Sequence, residues 1–185
     1  MFSSFWVVLD ACALYPISLC DVLLSAADRR IYRPLWTSRI LDEMENALVR
    51  NGKDPEKIRH RRSEMERLFP EAEVTGYEPL IPAMQNDEKD RHVLAAAVRA
   101  GASLVVTLNL SDFPKAVLEP LGIRAIHPDV FLMDLLGFDQ EAMLDAIEDM
   151  SAQKTRPPQT PLDILRRVGK NAPKFAAAAL MIYEN

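Results

Sequence analysis

Only two of the 185 residues are cysteines, Cys12 and Cys20. Two thiols without a Cys-x-x-Cys spacing exclude a disulfide framework, and they suit a reducing cytoplasm. Glycine is scarce too, with six residues. None stands in a GxGxxG or GxxxxGK loop, which removes the usual phosphate cradles of nucleotide-binding α/β proteins. The three histidines, His60, His92 and His127, have no zinc-ligand spacing. No apolar run approaches the roughly 20 residues that cross a bilayer, so no membrane partner is expected. The start, MFSSFWVVLD, has no basic segment ahead of its apolar run and does not read as a signal peptide.

What is present suits one folded domain. Hydrophobic residues make up 49% of the chain, and chains above about 150 residues bury roughly 70% of their unfolded surface. The net charge of -5 is unevenly spread. Residues 29–67 hold eleven Lys/Arg against seven Asp/Glu, whereas residues 68–150 hold five against fifteen. Residues 151–185 are basic again. An acidic centre between basic flanks suits a metal site beside a phosphate-binding surface, but on charge alone an ordinary solvated exterior is the favoured reading.

Buried-strand runs alternate with helical periodicity. Strands are expected at residues 5–9, 31–35, 103–108 and 123–126, with a short one at 73–75. Helices are expected over 17–28, over 38–50 behind a Thr37 or Ser38 cap, from Pro55 to about 69, and from an Asp87 cap to Ala100 with Gly101 closing it. Others follow Pro114 and cover 128–136 and 139–152. This alternation predicts an α/β fold with a mainly parallel central sheet and helices on both faces. Residues 155–161, rich in proline, read as a linker. The tail, 162–185, reads as one or two helices, apolar on nearly every face near its end. It should pack on the domain or on a partner, with the linker's reach favouring the partner.

Ligands of open α/β sheets sit beyond the carboxyl ends of the strands. Asp10 ends the first strand, Asn109 follows the 104–108 run, and Asp112 lies in the same loop. Asp90 falls in the first turn of its helix on the face of Leu94, Ala97 and Val98. In the 38–50 helix, Asp42 points away from the apolar arc. Glu43 and Glu45 flank that arc on opposite edges, and periodicity cannot choose between them. Carboxylates from several chain positions suit Mg²⁺ or Mn²⁺ rather than zinc. Cys12, two residues past Asp10, is a candidate nucleophile, but a free cysteine is more often a small buried hydrophobe.

Four segments in order, VVLDACALYP, TSRILDEMENAL, NDEKDRHVLAAAVRAGASLVVTLNLSDFP and IRAIHPDVFL, resemble PIN-domain proteins, and especially the VapC-like ribonuclease toxins of bacterial toxin–antitoxin pairs. The resemblance runs from about Trp6 to Leu136. It implies a three-layer α/β/α nuclease domain over 1–138, with 139–185 as a helical C-terminal extension. It implies catalytic and metal-binding roles for Asp10, Glu43, Asp90 and Asp112, and it selects Glu43 over Glu45. Thr107 and Asn109 match the polar residues that orient the last loop and a water. The chain departs from the pattern at Asp10-Ala-Cys, where many relatives carry Asp-Thr-Asn or Asp-Ser-Ser; the missing hydroxyl and amide put one supporting contact in question.

The activity so implied is metal-dependent hydrolysis of RNA, with a cognate antitoxin and a homodimer as expected partners. Arg29, Arg30, Arg33, Arg50, Arg59, Arg61 and Arg62 are candidates for holding the RNA backbone, a contact type that supplies affinity without reading sequence. The rivals are a housekeeping PIN nuclease, an inactive PIN scaffold that only binds, and an acidic α/β phosphatase. The last would need an Asp-x-Asp pair, and position 12 is Cys.

Overall fold

The computed structural model describes residues 5–155 and 157–183. The chain runs β1 (Trp6–Leu9), α1 (Ala11–Leu14), α2 (Ile17–Asp28), β2 (Arg33–Leu35), α3 (Ser38–Arg50), α4 (Pro55–Leu68), α5 (Arg91–Ala100), β3 (Leu104–Val106), α6 (Lys115–Leu118), β4 (Arg124–Ile126), α7 (Pro128–Phe138), α8 (Gln140–Gln153), α9 (Pro161–Val168) and α10 (Pro173–Tyr183). Short 3-10 turns cover Glu78–Ala83, Glu88–Asp90, Leu110–Asp112 and Glu119–Leu121. The fold is a parallel four-stranded sheet flanked by helices, with a helical C-terminal part. The residues group into two compact units.

One unit contains residues 5–15 and 33–126 and carries the sheet, in the order β2-β1-β3-β4 with every pair parallel. Val7, Val8, Leu9, Val105 and Val106 are fully buried, as continuous apolar strands of a two-sided sheet must be. Thr37 Oγ1 accepts the Ile40 N–H at 3.1 Å and starts α3. Gly101, in the left-handed region at φ 65°, ends α5. The strand expected at 73–75 is reduced to one parallel bridge between Trp36 and Glu73. Trp36 N–H donates to the Ala72 carbonyl and Val74 N–H to that of Trp36, and pairing stops there.

The other unit gathers residues 16–32, 127–155 and 157–183. Here α8 and α9 pack on α2, and α10 packs on α7 and α9. Tyr32 belongs to this unit: its hydroxyl donates to the Leu23 carbonyl at 2.8 Å, and its ring meets Phe131 edge-on at 5.0 Å. Arg30 just before it is left-handed, at φ 60°. These two features explain why β2 begins at Arg33 and not at Ile31.

The tail is packed within its own chain, against the expectation that favoured a partner. Ile164, Leu165, Val168, Phe175 and Ala179 are buried. Asp129, itself buried, accepts the N–H groups of Lys174 and Phe175 at 3.2 and 2.9 Å, so a side chain of α7 caps the first turn of α10. The segment read as a linker is held too. Ser151 Oγ donates to the Gln159 carbonyl at 2.6 Å, and Thr160 and Asp163 form a reciprocal capping box for α9. No described helix is long and apolar enough to cross a membrane.

Candidate active site

Register places the first pair. Leu9 of β1 lies opposite Val106 of β3, so Asp10 and Thr107 leave the carboxyl edge of the sheet side by side. Asp10 N–H donates to the Val106 carbonyl at 3.0 Å, and its own carbonyl accepts from Ala13 and Leu14. The Asp10 side chain is 3% exposed. Thr107 Oγ1–H donates to Asp10 Oδ2 at 2.7 Å, and the same oxygen accepts the Cys12 thiol at 3.1 Å. A buried carboxylate requires such donors.

Cys12 occupies the contact that the Asp10-Ala-Cys departure had put in question. Its sulfur lies 3.2 Å from Thr107 Oγ1 and accepts the Leu108 N–H at 3.2 Å. Burial, reinforced by the Asp10 charge, pushes the thiol up to about 12. It is therefore a neutral donor near pH 7, which removes the nucleophile reading. Thr107 Oγ1 also accepts the Asn109 N–H at 3.0 Å and so fixes the turn into the loop. Asn109 precedes the 3-10 turn that ends in Asp112.

Asp90 closes the 3-10 turn ahead of α5, not the first turn of the α-helix itself, and its side chain makes no cap bond. Asp87 is the capping residue, accepting from Lys89 N–H at 3.0 Å. The Asp87 N–H donates to the Asp112 carbonyl at 3.1 Å and joins the two acid-bearing turns. Asp90 is half-buried, and its carboxyl is raised from 3.8 to about 6 by burial, then by the charges of Asp10, Asp112 and Asp87. Asp10, Asp90 and Asp112 thus share one electrostatic neighbourhood.

Glu43 of α3 meets α5 at His92. Its Oε1 lies 3.0 Å from His92 Nε2 and 3.3 Å from Arg39 Nε. The histidine approach is a close polar contact and not an in-line hydrogen bond, since both ring nitrogens of the buried His92 lack a well-directed partner among the described residues. Burial pulls the Glu43 carboxyl upward, but His92 and Arg39 outweigh it and hold the group below its ordinary value. Glu45 faces the other way and binds Arg62 at 2.8 Å.

The candidate RNA-binding arginines are heterogeneous. Arg62 is bonded to Asp42, Glu45, Glu66 and Ser38. Its charge bridges α4 and α3. Arg29 pairs with Asp145 and Asp149. Arg33 lies over the Trp6 ring and 3.6 Å from Glu71. Arg30, Arg50 and Arg59 are exposed and Arg61 is half-buried.

Sequence reasoning missed the positions of His92 and Asn86. Asn86 is 5% exposed, and neither atom of its side-chain amide has a partner among the described residues. Among the described residues no three His, Cys, Asp or Glu side chains converge tightly enough to hold an ion as they stand. The donor chemistry nevertheless fits a hard divalent cation. Carboxylate oxygens predominate, Asp90 bears the repulsion of its neighbours, and Asn86 beside Asp87 offers an unmatched amide.

A parallel sheet with acids beyond the carboxyl ends of its two central strands defines an α/β protein with an acidic strand end. More narrowly, this chain belongs to the PIN-domain family, whose description matches residues 6–111. A second family description, the VapC50 C-terminal domain, matches residues 128–180. The chain is also 47% identical over 108 residues to a Mycobacterium tuberculosis protein named "Putative ribonuclease VapC50". That match covers 58% of this chain and 64% of the relative, just under two thirds of its length. No solved structure matches the chain.

Proposed function

We propose that this protein is a metal-dependent endoribonuclease that hydrolyses RNA phosphodiester bonds and serves as the toxin of a toxin–antitoxin pair. The observation that carries the reading is the gathering of acids past the carboxyl ends of β1 and β3: Asp10 ends β1 beside Thr107, the Asp87 N–H ties the Asp90 turn to the Asp112 carbonyl, and burial, then the charges of Asp10, Asp112 and Asp87, raises the Asp90 carboxyl. Anions held together against their mutual repulsion are the mark of a site made for a cation or for proton transfer. The PIN family assignment and the name of the mycobacterial relative support the same reading.

In this proposal Asp10, Glu43, Asp90 and Asp112 hold Mg²⁺ or Mn²⁺. When bound there, such an ion lowers the pKa of a water and offsets charge growing on the phosphate. Asp10 is held by Thr107 and Cys12 so that its carboxylate needs no reorientation. Asp90 or Asp112 would orient the attacking water. Glu43 is steadied by His92 and Arg39 and stays ionised. Asn109 and Thr107 keep the Asp112 turn in register with Asp10. The candidates for holding the RNA backbone are Arg29, Arg30, Arg33, Arg50, Arg59, Arg61 and Arg62, of which Arg30, Arg50 and Arg59 are exposed and Arg29, Arg33 and Arg62 also make ion pairs.

The proposed organisation is a nuclease domain over 1–138 and a helical extension over 139–185. The proposed setting is the cytoplasm, with RNA as substrate, a cognate antitoxin as protein partner and a homodimer as the assembled form. One observation favours the rival scaffold reading: no three ligating side chains converge among the described residues. Thermal melting of the full chain with Mn²⁺ separates the two, since an ion that binds only the native state raises stability by RT ln(1 + [L]/Kd). A higher melting temperature in wild type and a smaller rise in Asp10→Asn are expected. Equal rises in both would remove Asp10 from the ligands, and no rise in either would favour the scaffold. Expression without antitoxin should also arrest bacterial growth, and each acid variant should relieve the arrest.

A further inference from the structure

Cys12 joins three separate chain groups beside Asp10. Its thiol meets the Asp10 carboxylate at 3.1 Å, the Thr107 hydroxyl at 3.2 Å and the Leu108 N–H at 3.2 Å. The last two lie 95 and 96 positions away in sequence, so these contacts span the β1–β3 seam just past its final paired residues. The hydrogen accounting is restrictive. Thr107 Oγ1 has one hydrogen, directed at Asp10 Oδ2 at 2.7 Å, and its lone pairs receive the Asn109 N–H. The Leu108 N–H has the sulfur as its acceptor. With an alanine at position 12, Leu108 N–H would lose its acceptor and Asp10 Oδ2 one of its two donors. Both bonds to Asp10 fall on Oδ2, so Oδ1 is the oxygen without a protein donor among the described residues.

We propose that Cys12 is a positioning residue that, together with Thr107, reserves Asp10 Oδ2 for the protein and presents Oδ1 to the divalent ion, while tying the β3 loop to the end of β1. The proposal rests on the reading of Asp10 as a metal ligand. Sulfur suits the place because the long Cβ–S bond carries one atom to 3.1–3.2 Å from all three partners. A serine hydroxyl keeps the donor and acceptor functions with a shorter reach. Alanine keeps neither. Partners of this kind, acting on a ligand and not on the ion, typically contribute 10–100-fold to metal affinity.

The test uses the full chain and the variants Cys12→Ala and Cys12→Ser. Mn²⁺ affinity is read by titration calorimetry, and amide hydrogen exchange at Leu108 and Asn109 is read in metal-free protein. Cys12→Ala is expected to weaken Mn²⁺ binding about tenfold or more and to speed exchange at Leu108, with the β1 and β3 amides still protected. Cys12→Ser should recover most of both. Mn²⁺ affinity and Leu108 exchange unchanged in Cys12→Ala would overturn the proposal. A wild-type chain that takes up no Mn²⁺ would remove the metal-ligand reading of Asp10, and with it the Oδ1 claim. In that case the Leu108 exchange rate alone decides whether Cys12 ties the loop: faster in Cys12→Ala supports it, unchanged refutes it.

Discussion

The backbone N–H of Asp87 donates to the carbonyl oxygen of Asp112 over 3.1 Å. That bond joins the 3-10 turn ending in Asp90 to the 3-10 turn ending in Asp112, two turns that arise 22 residues apart in sequence. The contact keeps the Asp112 turn beside Asp90, whose carboxyl is raised first by burial, then by Asp10, and then by Asp112 and Asp87.

The first prediction concerns pH. Asp90 is raised in the folded protein from 3.8 to about 6. The folded state therefore binds more protons than the unfolded state between those values, and stability falls as pH rises through that window. Below about 4 both states are protonated and the penalty vanishes; above about 6 it is complete. A two-unit shift would correspond to roughly 3 kcal/mol in a shielded site, but half of Asp90 is open to solvent, so about 1 kcal/mol is expected. Asp90→Asn should therefore stabilise the metal-free protein above pH 6 and leave it unchanged near pH 4. Urea midpoints at the two pH values check this, and equal differences at both would contradict it.

The second prediction separates structural from RNA-binding arginines. Arg62, 20% exposed, binds three carboxylates across the α3–α4 pair. Arg62→Ala should cost about 1–2 kcal/mol and leave three acids facing one another. It should not change the salt dependence of RNA binding. Arg59→Ala should leave stability intact and lower the salt slope by about one. Binding isotherms at several salt concentrations, with a denaturant melt of each variant, decide between these assignments.

The third prediction concerns the C-terminal helices. Asp129→Ala removes the acceptor for two N–H groups at the start of α10 and should lower stability by about 1–2 kcal/mol. Truncation after Gln153 should be more damaging, because it deletes the buried Ile164, Leu165, Val168 and Phe175, each worth roughly 1.5–3 kcal/mol of burial. Chemical denaturation of both variants measures the effect. A truncated chain as stable as the full one would show that α9 and α10 add nothing to the fold.

Local signals in the sequence locate most elements. The Thr37 cap and Asn51-Gly52 bound α3 as expected, Gly101 ends α5, and apolar runs ending in Asp10 and Thr107 mark the two central strands. What was not legible depends on contacts between distant residues. Periodicity left Glu43 and Glu45 equivalent, and the resemblance alone chose between them. In three dimensions Glu45 meets Arg62 from α4, whereas Glu43 meets His92 from α5. The linker reading of 155–161 followed from its prolines, but Pro161 opens α9 behind a capping box. The sulfur of Cys12 looked like a lost contact because no sequence rule reports that Leu108 N–H lies within reach.

The central claim is that Asp10, Glu43, Asp90 and Asp112 work as one metal-dependent hydrolytic site. The direct measurement is the rate of RNA cleavage by the purified full chain with Mg²⁺ or Mn²⁺, compared with Asp10→Asn, Glu43→Gln, Asp90→Asn, Asp112→Asn and the control Glu45→Gln. Each of the four should lose on the order of a hundredfold or more, about 2.7 kcal/mol of transition-state stabilisation, with circular dichroism unchanged and the control near wild type. Cleavage by Asp10→Asn at the wild-type rate, or by the wild type undiminished in excess chelator, would contradict the account.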